Sequence, residues 1–260
     1  SKPNDDSFGA AGNRVWVLDG ATGLGSRLLP GGSDAAWLSR TANRLLHAHH
    51  AIRDSVQLVR AVIAGLASAF EQECLARPEA RWQLPCASLL LLTVEREHTE
   101  AVWLGDCRAI LAIDGRIETC GETAEGEAEE RAWAAELGQG AAASAMLGSD
   151  SVMAALRASR DRFNTGEGRW VLGLEPRAAD HMKSAIFHGA FTEGLAMSDG
   201  FSALALKYRR YGADALLAAA SQKGLAALAG ELRTVEEVED PDGRAYPRFK
   251  RSDDATALLF

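Results

Sequence analysis

Apolar positions in this chain follow two rhythms, and the switches between them mark its organisation. The run Val15 to Leu18, β-branched and aromatic and closed by the small-residue turn DGATG, predicts a buried strand. Ser33 and Asp34 then supply an N-cap and a first-turn acid for a helix on which Leu38, Thr41, Leu45 and His49 recur on one face. A second helix follows from Asp54, with Val56, Val59, Ile63, Leu66 and Phe70 at helical spacing and Pro78 beyond its end. The rhythm changes at Cys86. CASLLLLTVE, EAVWLGD, RAILAID and RIETC are four short runs parted by turn residues, which predicts an antiparallel meander from Cys86 to Cys120 with a hairpin turn at Asp114 and Gly115.

From Glu122 to Arg169 the chain is first acidic, then alanine-rich and punctuated by glycine. EAEERAWAAEL predicts a helix and NTGEGR a loop, and the order of the rest stays open. Strands resume near SAIFHGA and GLAMSD, a helix pair covers Tyr211 to Leu232, and DATALLF predicts a closing strand. There is no convincing internal repeat and no low-complexity linker. The expectation is a single domain over residues 1–260, with a variable helical and loop segment around 122–169. Its class is α/β layered (α+β), with helices packed around antiparallel sheets.

Composition narrows the function. Of 260 residues 47% are hydrophobic, ample for a sizeable core. A net charge of −8 argues against a nucleic-acid binder, whose affinity rests on clustered Lys and Arg, and suits cation binding instead. No run of eighteen apolar residues and no basic-then-apolar leader occurs, so the expectation is a cytoplasmic protein with no membrane partner. Cys74, Cys86, Cys107 and Cys120 form no C-x-x-C pair, which predicts reduced thiols rather than zinc ligands or disulfides.

The candidate chemistry lies in aspartates that adjoin predicted strands or their turns. They are Asp5 and Asp6 in KPNDDSF, Asp19 in VLDGATG, Asp106 in LGDCRA, Asp199 in AMSDGF, and Asp253 and Asp254 in SDDATALLF. Any one of them is the ordinary aspartate of a turn. Several converging carboxylates, however, repel one another unless a cation holds them, and hard divalent ions want such an oxygen-rich site. No cysteine is followed six residues later by arginine, and there is no D-x-D-x-[TV] stretch, G-x-S-x-G elbow or P-loop.

In their order and wording these five segments resemble the metal-dependent protein phosphatases of the type 2C family. The likeness spans nearly the whole chain, from KPNDDSF through VLDGATG, GDCRA and MSDGF to DDATALLF. It implies a central antiparallel β-sandwich flanked by helix pairs, with two Mn²⁺ or Mg²⁺ ions at one end and a weaker third. On that resemblance Asp19 bridges the two ions, the Gly20 carbonyl and Asp5 serve one, and Asp199 and Asp253 serve the other. Asp6 and Asp254 act through waters, and Asp106 helps hold the third ion. Asp19 and Asp199 then carry catalysis through a metal-activated water that attacks phosphorus in line, without a phosphoenzyme.

The implied function is hydrolysis of phosphoserine and phosphothreonine on a phosphorylated protein, as the counterpart of a Ser/Thr kinase system. The alternatives are a regulatory pseudophosphatase and a hydrolase of small phosphomonoesters on the same centre. Three departures from the family pattern stand out. Asp5 replaces a glutamate, Ala21 replaces a histidine thought to act as general acid, and Ser1 falls where a phosphate-binding arginine is expected, with Lys2 the nearest cation. Other features read as structural. HAHH at 47 to 50 is a helix end, the acidic run Glu118 to Glu130 a solvated helix start, and DPDGRAY a turn. Trp16, Trp37, Trp103 and Trp170 are core or interface residues.

Overall fold

A computed structural model describes residues 4–260. The chain opens with two paired strands, β1 (Ser7–Ala11) and β2 (Arg14–Gly20), and continues into two helices, α1 (Asp34–His49) and α2 (Ser55–Glu73). Four strands follow, β3 (Ala87–Val94), β4 (His98–Leu104), β5 (Arg108–Ile113) and β6 (Arg116–Gly121). The segment that the sequence left unordered holds α3 (Ala124–Gly138), the single turn α4 (Ala143–Met146) and α5 (Asp150–Asp161). Strands β7 (Lys183–His188) and β8 (Phe191–Met197) come next. The short α6 (Asp199–Ser202), the pair α7 (Ala213–Lys223) and α8 (Leu225–Thr234), and β9 (Ala257–Leu259) complete the chain.

The strands form two antiparallel sheets, ordered β1-β2-β3-β4-β7 and β6-β5-β8-β9. The expected continuous meander is therefore corrected. β3 and β4 pair in the first sheet, β5 and β6 in the second, and the chain crosses between sheets at residues 105–107. β1 is also an addition to the expected elements. Its alternating half-exposed pattern in SFGAA belongs to an edge strand too short and too small in side chain to stand out. The Asp114-Gly115 hairpin is as expected, both residues having positive φ.

Alternation along the strands explains the layers. Trp16, Leu18, Leu89 and Leu91 face α1 and α2, where they meet Leu38, Leu46, Val59, Ile63 and Leu66. Their neighbours Val15, Val17, Leu90 and Leu92 face the second sheet and pack on Ala109, Leu111, Ile113 and Ala196. On that sheet's outer side Ile110, Leu195 and Met197 meet Leu216, Leu217, Leu228 and Leu232 of α7 and α8. Sheets covered on both faces read as continuous apolar runs, which is why LLLL and VWVL show no alternation in the sequence. The helix starts follow their caps: Ser33 accepts from the Ala36 amide and Asp54 from the Gln57 amide.

The histidines of HAHH lie at the end of α1, where His47 sets its ring edge against Trp16. All four cysteines are free thiols. Among the described residues no helix is long and apolar enough to cross a membrane.

After α8 a π-helical turn (Val235–Glu239) leads into the loop that carries the last acids. DPDGRAY is indeed a turn, wound around Asp240, which accepts from the Arg244, Ala245 and Tyr246 amides. Its carboxylate also takes a hydrogen bond of 2.8 Å from Arg248, and both side chains are buried, at 8% and 5% exposure. Removing one partner leaves the other charge buried and unpaired. Asp240→Ala is therefore expected to lower stability by roughly 3 kcal/mol or more in urea unfolding. A loss under about 0.5 kcal/mol, the size of an ordinary surface change, would show that the pair does not hold this loop.

Candidate metal and phosphoryl site

Strand ends deliver the acids to one end of the sandwich. Asp19 is the penultimate residue of β2 and lies opposite Ser88 at the start of β3. The Ser88 hydroxyl reaches across to Asp106, just past β4, donating at 2.5 Å to its carboxylate and accepting from its amide at 3.2 Å. Met197, the last residue of β8, pairs with both Arg108 and Ala257, which brings Asp199 beside Asp106 on one side and residues 253–256 on the other. Asp19, Asp106, Asp199 and Asp253 line one cleft of about 220 Å³.

The remaining sequence-predicted residues lie around this group. Asp6 is 7% exposed and lies behind it, within electrostatic reach of Asp19, Asp199 and Asp253. Asp5, 1% exposed, lines an adjoining cavity instead. Asp254 accepts the Asp5 amide at 2.8 Å, so in this arrangement it tethers the N-terminal segment. Ser39 of α1 holds the same segment by donating to the Asp5 carbonyl at 2.6 Å.

Two glycines make this meeting possible. A Cβ on Gly20 would stand 2.4 Å from the Asp5 carbonyl oxygen, and one on Gly200 would stand 2.0 Å from that of Asp254. Both positions admit glycine alone, because backbone crosses there rather than a flexible side chain. At Gly20 the neighbour that excludes a side chain is the Asp5 backbone.

Electrostatics bind the acids into one system. Burial, and then the charges of Asp199 and Asp253, push the Asp6 carboxyl up to about 7, against the nearby hydroxyls of Thr256 and Ser198. Neither hydroxyl completes a hydrogen bond to it, and the Ser198 hydroxyl points instead to the Thr256 carbonyl. Asp199 is likewise raised to about 7 by burial, then by Asp106 and Asp253. Asp19 is raised well above the carboxylate range by burial, then by Asp199 and Asp6, and a hydrogen bond to Asp199 favours its protonated form.

Cations that the sequence reading did not single out complete the site. Lys250 grips both oxygens of Asp253, at 2.7 and 2.9 Å. Burial works against its charge, but Asp253, Asp199 and Asp19 outweigh that and hold its pKa above the ordinary value. Arg169 forms an ion pair with Asp106. Glu130, read as part of a solvated run, instead lines the cleft from α3, and burial raises its pKa. The signal for Lys250 was its place three residues before Asp253 in RFKRSDD. Glu130 and Arg169 carried no local signal.

The donor set is oxygen-rich and acidic, which suits hard divalent cations. Among the described residues no group of three or more His, Cys, Asp or Glu already stands as a metal cage. The fit lies in the chemistry of the donors and in the like charges that a cation would relieve.

Raised carboxyl pKa values fix the sign of a pH effect. Between about 4 and 7 the folded protein holds protons on Asp6 and Asp199 that the unfolded chain has released, so stability falls as pH rises through that window. In chelator the melting temperature is expected to drop between about pH 5 and pH 8, by roughly 2–4 °C for each kcal/mol lost. A melting temperature that climbed over that range would mean the acids are not packed together as described.

No family model matches the sequence, and no curated protein does either. Solved structures share its architecture. PppA of Pseudomonas aeruginosa, a key regulatory component of T6SS, is 17% identical and is matched over 99% of this chain and 90% of its own, with a TM-score of 0.53. The Mycobacterium tuberculosis serine/threonine phosphatase PstP/Ppp is 14% identical over 100% of this chain and 91% of its own, with a TM-score of 0.52. The PstP catalytic domain in complex with two manganese ions gives 15% identity, the same coverages and a TM-score of 0.51. The two stacked antiparallel sheets with their flanking helices thus give this chain the fold of the bacterial type 2C serine/threonine phosphatases.

Proposed function

We propose that the chain is a protein-serine/threonine phosphatase dependent on Mn²⁺ or Mg²⁺. The observation that carries this reading is the convergence of Asp6, Asp19, Asp106, Asp199 and Asp253, contributed by separate parts of the chain, on one end of the sandwich. Asp19, Asp199 and Asp253, with the Gly20 carbonyl and Asp5, would hold two ions, and Asp106 a weaker third. Asp6 and Asp254 would act from behind them. When bound, the ions supply a water of lowered pKa and neutralise phosphoryl charge. The manganese of the PstP catalytic domain supports the choice of metal.

The chain's own residues set the conditions for that chemistry. Asp19 and Asp199 would orient the nucleophilic water as carboxylates. Asp253 must exchange Lys250 for an ion, which leaves the ammonium beside the site. Ser88 fixes the rotamer of Asp106. Ala21 has no proton to give, so a leaving alkoxide must be protonated by water or by another group of the cleft. A phosphorylated protein, the product of a Ser/Thr kinase, is the proposed substrate.

The ion pairs of Lys250 with Asp253 and Arg169 with Asp106 favour a second reading, a pseudophosphatase that signals by contact. It requires metal binding or fold retention without turnover. A small-phosphomonoester hydrolase is the third, and side-by-side rates on phosphopeptides and small esters separate it.

Asp19→Asn and Asp199→Asn are each expected to cut Mn²⁺-dependent turnover by about 100-fold or more while leaving the circular dichroism spectrum intact. Near-native activity of either variant at saturating Mn²⁺ would sink the site assignment. Asp106→Asn should be milder and should need more metal. Mn²⁺ at about 100 times its dissociation constant should stabilise the wild-type chain by roughly 2.7 kcal/mol, reversibly with chelator and less in Asp19→Asn. An unmoved melting curve, with no heat of binding by calorimetry, would remove the metal centre altogether.

A further inference from the structure

We propose that Arg160 is the side chain that receives the phosphoryl group in the cleft, an inference that rests on the phosphatase reading above. A phosphate monoester brings two negative charges into a cleft already rich in carboxylates, so a cation free to meet it is needed besides any metal. The family resemblance puts an arginine at the position of Ser1. Ser1 and the nearby Lys2 lie outside the described residues.

Five described basic side chains line the cleft: Arg160, Arg169, Lys207, Arg248 and Lys250. Four already answer to an acid. Arg169 pairs with Asp106 and Lys250 with Asp253, Arg248 with Asp240 at 2.8 Å, and Lys207 with Glu127 at 3.8 Å. Arg160 forms no ion pair with a described acid. Among the described residues its side chain makes one hydrogen bond, from Nη1 to the Thr22 carbonyl at 2.7 Å. That bond fixes the guanidinium beside the loop that leaves Asp19 and Gly20. A guanidinium offers five donors in a planar fork matched to phosphate oxygens, and one bond leaves most of that fork for a ligand.

Arg157, one turn earlier on α5, is a built-in comparison. It donates twice to the Leu24 carbonyl, at 2.9 and 2.7 Å, and lies over the Trp82 ring at 4.4 Å. It tethers the same loop without lining the cleft. Tethering and phosphate binding are therefore separable by mutation.

The test compares wild type, Arg160→Ala, Arg160→Lys and Arg157→Ala, each loaded with Mn²⁺. KM and kcat are read on p-nitrophenyl phosphate and a phosphopeptide, inhibition by inorganic phosphate is titrated, and inorganic phosphate binding is measured by calorimetry. Arg160→Ala should raise KM and weaken phosphate binding by about tenfold or more, the loss expected for a charge-assisted contact, with a smaller change in kcat. Arg160→Lys should fall in between. Arg157→Ala should lower the melting temperature yet leave both constants within about twofold, as a residue outside the phosphate contact would. Equal effects of the two alanine variants, or an unmoved phosphate affinity in Arg160→Ala, would overturn the assignment. Should Arg160→Ala fail to fold, the lysine variant and phosphate calorimetry decide. A wild-type chain that turns over neither substrate would instead sink the phosphatase reading, and phosphate calorimetry would still decide the role of Arg160.

Discussion

Mutual repulsion among carboxylates is the constraint on which this end of the molecule depends. Asp6, Asp19, Asp106, Asp199 and Asp253 come from distant parts of the chain and share a small, partly desolvated volume. Such a group persists only if the surrounding fold holds it and other charges offset it. Both conditions are met by named parts. The sheets supply a rigid floor, Ser39 and Asp254 pin the N-terminal segment, and the Asp240–Arg248 pair stiffens the loop that presents Lys250 and Asp253. Lys250 and Arg169 supply positive charge where the acids crowd most.

The same constraint explains why backbone approaches so closely here. Carboxylates that must share counter-charges have to be within a few ångströms of one another, which forces their parent segments together. Gly20 and Gly200 sit at the two crossings, where an added Cβ would overlap a carbonyl oxygen. In VLDG and MSDG the glycine following the aspartate is thus part of the acid's placement, through the room it leaves for Asp5 and Asp254.

Much of this was legible in the sequence because strand ends are marked by composition. Asp19 follows an apolar run directly, and Asp106 and Asp199 follow theirs after one residue, so their place at strand ends could be read without knowing the pairing, while the shared end of a sandwich came from the resemblance. The helices α1 and α2 were legible through their caps and their helical spacing of apolar residues. Partnerships were not. Nothing local separates a hairpin between β4 and β5 from a crossing between sheets, since both present an apolar run, a glycine and another run. Lys250 in RFKRSDD, Glu130 in an acidic stretch and Arg160 in RASRDRF look like solvated charges, and only the packing of α3, α5 and the final loop over the cleft turns them toward it. The metal-ligand roles came from the family resemblance rather than from spacing, and the low identities of the matched structures carry them no further than the fold.

The hydrogen bond between the Asp5 amide and the Asp254 carboxylate joins positions 249 apart in the chain. Contacts of such separation carry the largest loop-closure cost and are expected late in folding, after β2, β3 and β4 have paired with their neighbours and α1 and α2 have docked. The acidic end is then assembled last, once a hydrophobic interior already exists to hold it. Opening should retrace that order. β9 is three residues long and forms the edge of its sheet, so amide exchange is expected to be fastest at this C-terminal strand among the sheet residues, with the helix-backed strands protected longest.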